Sequence, residues 1–146
     1  LAQGISGTPD RLVRRMREED RPVVLLGTSS LWEGIDIQGD RLQALILTRL
    51  PFEVPTDPVF AARSETYGDS YKAFTEYSIP KAVIRFRQGF GRLIRSSTDR
   101  GVFVVLDSRI VHRNYGKRFI EGLPDTSIKT CSMKDIGENT KTWLLN

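Results

Sequence analysis

Three short apolar runs punctuate this chain, and amphipathic stretches separate them. Val23-Val24-Leu25-Leu26 lies between Pro22 and Gly27, Ala44-Leu45-Ile46-Leu47 follows, and Val102-Phe103-Val104-Val105-Leu106 ends at Asp107. Runs of this length, rich in β-branched residues and closed by turn formers, read as strands buried on both faces. Thr8-Pro9-Asp10 opens a first helix, with threonine as N-cap, proline at the first helical position and an acid close behind. That helix is expected to reach about Asp20. A proline-rich stretch from Leu50 to Pro58 follows the second run, and Asp57-Pro58 opens a helix to roughly Tyr67. A polar connector then leads to Ile79-Pro80, where a long helix starts and runs to about Arg95, ahead of a loop at Ser96 to Asp99. Arg109 to about Glu121 reads as one helix, stopped by Gly122 and Pro124. Ser127 to Cys131 is a candidate last strand, and the tail beyond it is weakly helical at best.

Strands alternating with helices predict an α/β fold, a mostly parallel sheet with helices on both faces. Ligands of such sheets bind beyond the carboxyl ends of the strands. The loop after Leu26, the Pro51 loop and Asp107 all fall there.

The long helix has two unlike faces. At roughly 100° per residue, Gln88, Arg92 and Arg95 fall within about 60° of one another. Val83, Phe86, Phe90, Leu93 and Ile94 gather opposite them. The apolar face anchors a core while the polar face presents guanidinium groups, whose planar fork suits phosphate oxygens. A basic helix face is usually only a solvated one, and Lys81 and Arg85 extend this stripe. Gly89 and Gly91 weigh against that reading. Each costs a helix interior on the order of 1 kcal/mol relative to alanine, which makes sense where another backbone or a nucleotide must approach closely.

Composition narrows the classes. With 39% hydrophobic and 27% charged residues, the 146-residue chain is globular, and no segment is long and apolar enough to span a bilayer. One cysteine, Cys131, rules out an internal disulfide and fits a reducing compartment. Cys131 and the single His112 are too few soft ligands for a zinc or iron–sulfur site within the chain, so no metal ligand is assigned. A net charge of +4 is compatible with a nucleic-acid partner without requiring one. The first residues, Leu1 to Gly7, read like the inside of a domain, and the chain is expected to be part of a longer protein.

The loop from Gly27 to Asp36 is the second candidate site. Thr28, Ser29 and Ser30 carry hydroxyls and backbone N–H groups suited to a nucleic-acid backbone. Trp32 is either a base-stacking residue or a packing one. A nucleoside-triphosphate site also needs a phosphate cradle and magnesium-binding acids, and the chain has no G-x-x-x-x-G-K-[ST] cradle. It holds the positive charge of such a site and little else.

Gly27-Thr28-x3-Trp32-Glu33-Gly34-Ile35-Asp36, followed by Gln88-x2-Gly91-Arg92-x2-Arg95, resembles motifs V and VI of superfamily 2 helicases. Arg49-Leu50-Pro51-Phe52, Asp107-Ser108-Arg109 and Asn114-Tyr115-Gly116-Lys117-Arg118 sharpen the likeness to the second RecA-like domain of a DinG/XPD-type DNA helicase. The likeness covers about Gly4 to Pro124, leaving residues 125–146 as a C-terminal strand and tail of the same domain. It implies a RecA-like P-loop NTPase fold in which ATP and Mg2+ are bound mainly by helicase domain 1 of the same polypeptide. It also implies Arg92 and Arg95 as arginine fingers, with Gln88 positioning water or the γ-phosphate. Gly34, Asp36 and Gly91 are then nucleotide-side residues, and Thr28, Ser29, Ser30 and Trp32 contact single-stranded DNA. Relatives move 5′ to 3′, in the bacterial cytoplasm, in DNA repair. A regulatory module that binds ATP and DNA and controls an attached exonuclease without unwinding is the alternative.

Overall fold

The computed structural model describes residues 1–28, 31, 41–96 and 98–145. Nine of the elements it shows there are α1 (Pro9–Glu18), β1 (Ala44–Leu47), α2 (Pro58–Glu65), α3 (Ser70–Lys72), α4 (Ile79–Leu93), β2 (Val102–Val105), α5 (Arg109–His112), α6 (Gly116–Glu121) and α7 (Ile136–Leu145), with a π-helical segment, Ala73–Ser78, joining α3 to α4. β1 and β2 pair in a two-stranded sheet. The Val102 N–H donates to the Gln43 carbonyl and the Leu106 N–H to the Leu47 carbonyl, both at 2.9 Å. The partner advances in step and in the same direction on both strands, so the pairing is parallel and the chain is α/β. The strands stand where the apolar runs predict them, but they are not buried on both faces: Ile46 is 57% exposed, and β2 is only partly buried along its length.

The chain divides into two compact units. The first holds Leu1–Leu45, Gly91–Phe103 and Cys131–Asn146. Here Pro9 starts α1 as expected, and the Thr8 carbonyl takes the Leu12 N–H at 3.0 Å although the Thr8 hydroxyl makes no cap bond. Leu12 is fully buried, and Val13, Met16, Leu25 and Leu42 pack around Leu31. Val23 to Leu26 does not form the predicted buried strand. It makes one parallel bridge, Leu26 with Ala2, backed by bonds from Leu26 N–H to the Leu1 carbonyl at 2.8 Å and from Gln3 N–H to the Leu26 carbonyl at 2.9 Å. Val23 and Leu25 turn inward while Val24 and Leu26 stay 72% and 62% exposed, the alternation of a segment covered on one side. Two expectations for the tail also fail. Ser127 to Cys131 has no regular structure, and residues 136–145 are helical. Their partly buried positions, Ile136, Asn139, Thr140 and Leu144, keep helical spacing, but two are polar and hide the stripe from a hydrophobicity reading.

The second unit holds Ile46–Phe90 and Val104–Thr130. Asp57 caps α2, accepting the Phe60 N–H at 2.8 Å, and Phe60 stacks on Tyr77 at 5.4 Å between ring centroids. The polar connector before Ile79 proves helical from Ser70 onward. Asp69 caps α3 by accepting the Lys72 N–H at 3.1 Å, and Ile79 N–H reaches back five residues to the Phe74 carbonyl. Pro80 explains both the π segment and the missed helix: its ring cannot sit behind a normal α-turn, and the wider turn relieves the clash. The expected single helix from Arg109 is broken at Arg113, which is extended. Gly116 brings the chain back hard against α5, where a Cβ would collide with the Ile110 carbonyl. The core joins Leu50, Ile79, Ala82, Phe86 and Phe119, with Phe86 edge-on to Phe119 at 5.3 Å.

Candidate nucleotide and nucleic-acid site

The α4 sequence alternates between its two faces as predicted. Ala82, Phe86, Phe90 and Leu93 are buried, Gln88 is exposed and Arg92 is half-buried. Gln88 and Arg92 stand one turn apart on that helix. Arg95 does not extend it, because α4 closes at Leu93. The Asp99 carboxylate ends the helix by accepting the N–H groups of Arg95 at 2.8 Å and Ser96 at 2.9 Å. Those donors hold the Asp99 carboxyl below its usual range. Gly101 then lets the chain return toward β2 against Leu93: an added Cβ would lie 2.6 Å from Leu93 Cδ1. The Arg95 backbone is thereby pinned while its residue stays exposed. Gly89 is buried and Gly91 exposed. Apart from the helix's own backbone, no described atom comes within 4 Å of where a Gly91 Cβ would stand.

Lys81 and Arg85 are not the solvated extension of the stripe that the sequence suggests. Arg85 Nη2 donates to Glu53 Oε1 at 2.7 Å, and Lys81 Nζ faces Glu53 Oε2 at 2.8 Å. The Glu53 side chain is 13% exposed, against 32% for Lys81 and 27% for Arg85. The contact with the Glu53 carboxylate is the chief cause that raises the Lys81 pKa. Lys81 also reaches the Tyr77 hydroxyl at 3.2 Å. Sequence reading passed over Glu53; its one signal was a lone acid between the apolar and proline residues of 50–55.

A second knot closes the strand ends of the same unit. The buried Asp107 carboxylate accepts the Leu50 N–H at 2.8 Å through Oδ2 and the Arg109 N–H at 3.1 Å through Oδ1. It also takes the Arg109 guanidinium fork, Nε on Oδ1 at 2.9 Å and Nη2 on Oδ2 at 2.6 Å. Arg109 lies over the Phe52 ring at 5.5 Å. Its guanidinium, aided by the backbone donors and opposed by burial, pulls the Asp107 pKa from 3.8 down to about 2. The loop after β1 is thus fastened to the loop after β2, at the carboxyl edge where α/β sheets place their sites.

Of the Gly27–Asp36 loop, the described part is Gly27, Thr28 and Leu31. Gln3 Oε1 accepts the Thr28 N–H at 2.9 Å and its hydroxyl at 3.2 Å, and the Thr28 carbonyl takes the Leu31 N–H at 2.9 Å. Gln3, which sequence reasoning did not single out, therefore sets the Thr28 side chain. Ser29, Ser30, Trp32, Glu33, Gly34 and Asp36 lie outside the described residues. Among the described residues no group of three or more His, Cys, Asp or Glu is arranged to hold a metal ion. Among the described residues, half-buried Arg92 and exposed Arg95 carry guanidinium groups, a donor type suited to phosphate.

The family profile described as the helicase C-terminal domain matches residues 1–126. The chain belongs to this family. It is 43% identical over 130 residues to the protein named 3'-5' exonuclease DinG of Bacillus subtilis (strain 168), covering 88% of this chain and 14% of that protein. It is 48% identical over 108 residues to ATP-dependent DNA helicase YoaA of Haemophilus influenzae, covering 71% and 16%. It is 40% identical over 127 residues to ATP-dependent DNA helicase DinG of Photobacterium profundum, covering 82% and 18%. The chain is a C-terminal helicase domain of the DinG type and spans less than a fifth of the length of these relatives. Gln88, Gly91, Arg92 and Arg95 fall inside the matched residues, while α7 lies beyond them.

Proposed function

We propose that this chain is the C-terminal motor domain of an ATP-dependent DNA helicase, RecA-like in fold. Residues 1–124 form the motor and 125–146 are its C-terminal tail. It works with helicase domain 1 of the same polypeptide and moves 5′ to 3′ on single-stranded DNA in a bacterial cytoplasm. The observation that carries this reading is the end of α4. Arg92 stands on the last turn of a core-anchored helix, and Arg95 stands on a turn whose backbone Asp99 grips from two N–H groups. A backbone held in this way gives each guanidinium group a fixed base from which to meet the negative charge of a transferring phosphoryl group. Gln88, one turn before Arg92, is assigned to the attacking water or the γ-phosphate, and exposed Gly91 to close approach of the nucleotide. Thr28, Ser29, Ser30 and Trp32 are assigned to DNA, with Gly34 and Asp36 linking that contact to hydrolysis.

The cationic donors of this chain fit a polyphosphate, and domain 1 would supply the cradle and the acids for Mg2+. When bound, Mg2+ would neutralise negative charge on the phosphate groups. An arginine finger is worth roughly 10³–10⁵ in rate. In the full-length protein, Arg92→Ala and Arg95→Ala are each expected to abolish DNA-stimulated hydrolysis while ATP affinity stays within several-fold. Normal turnover by both variants would overturn the assignment.

A second reading keeps the fold and drops the unwinding: the domain senses ATP and DNA and controls an attached nuclease. The exonuclease name of the 43%-identical relative favours it. Strand displacement by the full-length protein, measured beside its ATP turnover, separates the two.

A further inference from the structure

We infer that Glu53 is a positioning residue for the arginine-bearing helix: its carboxylate clamps Lys81 and Arg85 and so fixes the rotational setting of α4. This rests on the motor reading above and adds to it a residue that does not touch the nucleotide.

The helix α4 has an irregular turn before it and two glycines in its last turns. It follows directly on the π segment Ala73–Ser78, where the turn is already widened, and it carries Gly89 and Gly91 near its close. The apolar face sets the depth at which the helix sits. Contacts of Phe86 and Ala82 alone tolerate small rotations, since dispersion contacts are weak singly and have little directionality. The charge-assisted hydrogen bond from Arg85 to Glu53 is directional, and the Lys81 ion pair lies on the other carboxylate oxygen. Lys81 and Arg85 are one turn apart, and together with Gln88 and Arg92 they fall within about 60° around the axis. A carboxylate that grips Lys81 and Arg85 therefore sets the angle at which Gln88, one turn further along the same unit, projects.

Glu53 can hold them because it is itself held. It sits three residues after Leu50, whose N–H is bound by Asp107 at 2.8 Å, and next to Phe52, whose ring lies under Arg109 and edge-on to Phe119 at 5.8 Å. One oxygen meets Arg85 at 2.7 Å and the other Lys81 at 2.8 Å. Two cations against one carboxylate leave a net positive cluster, so charge neutralisation alone does not account for the arrangement. Fixing the angle of α4 accounts for both contacts.

The test uses the full-length protein, with ATPase kcat and KM, the melting temperature and the folded fraction measured for Glu53→Gln, Arg85→Gln and the double variant. A misplacement of about 1 Å at a reacting centre costs about a hundredfold in rate. Each single variant is expected to lose ten- to a hundredfold in kcat per folded molecule, by the same principle, with KM for ATP within about threefold. The double variant is expected to be no worse than the poorer single, because both changes break one clamp. Effects that multiply in the double variant would overturn the proposal. So would a lowered melting temperature with normal kcat per folded molecule, or normal kcat throughout. Arg92→Ala serves as the control: if it too retains wild-type turnover, the motor reading fails, and if it alone loses activity, only the role of Glu53 fails.

Discussion

Replacing Asp107 with asparagine removes the charge from a carboxylate that takes four kinds of donor at once: the Leu50 N–H, the Arg109 N–H, and Nε and Nη2 of the Arg109 guanidinium. Asparagine keeps the shape but turns one acceptor into an NH2. Both carboxylate oxygens face donors, so either orientation of the amide sets N–H against N–H. The depression of the Asp107 pKa from 3.8 to about 2 measures how strongly the fold prefers the ionised form. At 1.36 kcal/mol per pKa unit this amounts to about 2 kcal/mol of stability. The folded pKa lies below the unfolded one, so that stability is fully present above pH 4 or so. It is lost as the pH falls through about 3.8 toward 2, where the unfolded state binds the proton first. For a chain of this size, about 2 kcal/mol corresponds to roughly 7 °C in melting temperature. Thermal melts of wild type and Asp107→Asn, followed by far-ultraviolet circular dichroism, are therefore expected to differ by roughly 5–10 °C at pH 7. The gap should shrink to under half by about pH 2.5, since wild-type Asp107 has by then lost most of the benefit of its charge. Equal melting temperatures at pH 7, or a gap that persists undiminished at low pH, would refute the reasoning.

Gly91→Ala is expected to raise the melting temperature, because alanine is favoured in a helix by about 1 kcal/mol and the position is open. The same change should lower ATPase activity in the full-length protein, and unaltered activity would show that no nucleotide approaches there. Gly116→Ala should destabilise by roughly 1–3 kcal/mol, since its Cβ meets the Ile110 carbonyl and not a movable side-chain end; an unchanged chemical-denaturation midpoint would contradict that packing. For Trp32→Ala, lost single-strand affinity, worth roughly 1–3 kcal/mol per stacked base, with an unchanged melt supports stacking. A large drop in melting temperature with affinity retained makes Trp32 a core residue.

Much of this protein is written locally and is legible without coordinates. Pro9 and Asp57-Pro58 start their helices where such residues must, because capping and a fixed φ act within one turn. The two faces of α4 follow from period alone, and the strands at Ala44–Leu47 and Val102–Val105 follow from apolar runs. The spacing of Gln88, Gly91, Arg92 and Arg95 is local in the same way, since they are neighbours along a few turns of chain, while the roles proposed for them await the variants above.

What the sequence could not show depends on partners far apart in it. Glu53 becomes a clamp only because the fold brings Lys81 and Arg85 to it, and Asp107 becomes a knot only because the loop after the neighbouring strand brings the Leu50 N–H to it. Val24 and Leu26 read as buried, yet burial is decided by what covers a face, and one side of that segment remains open to solvent. Ser70 to Ser78 reads as a connector because Pro80 forbids a regular α-turn, and only the π segment shows how the chain continues past it. Period, caps and charge are local, so sequence by itself determined where α1, α2 and α4 begin, the two strands β1 and β2, and the two unlike faces of α4. Ion pairs and burial are set by separations that folding alone creates, so tertiary structure decided which charges on that stripe are gripped by Glu53 and where Arg95 leaves the helix.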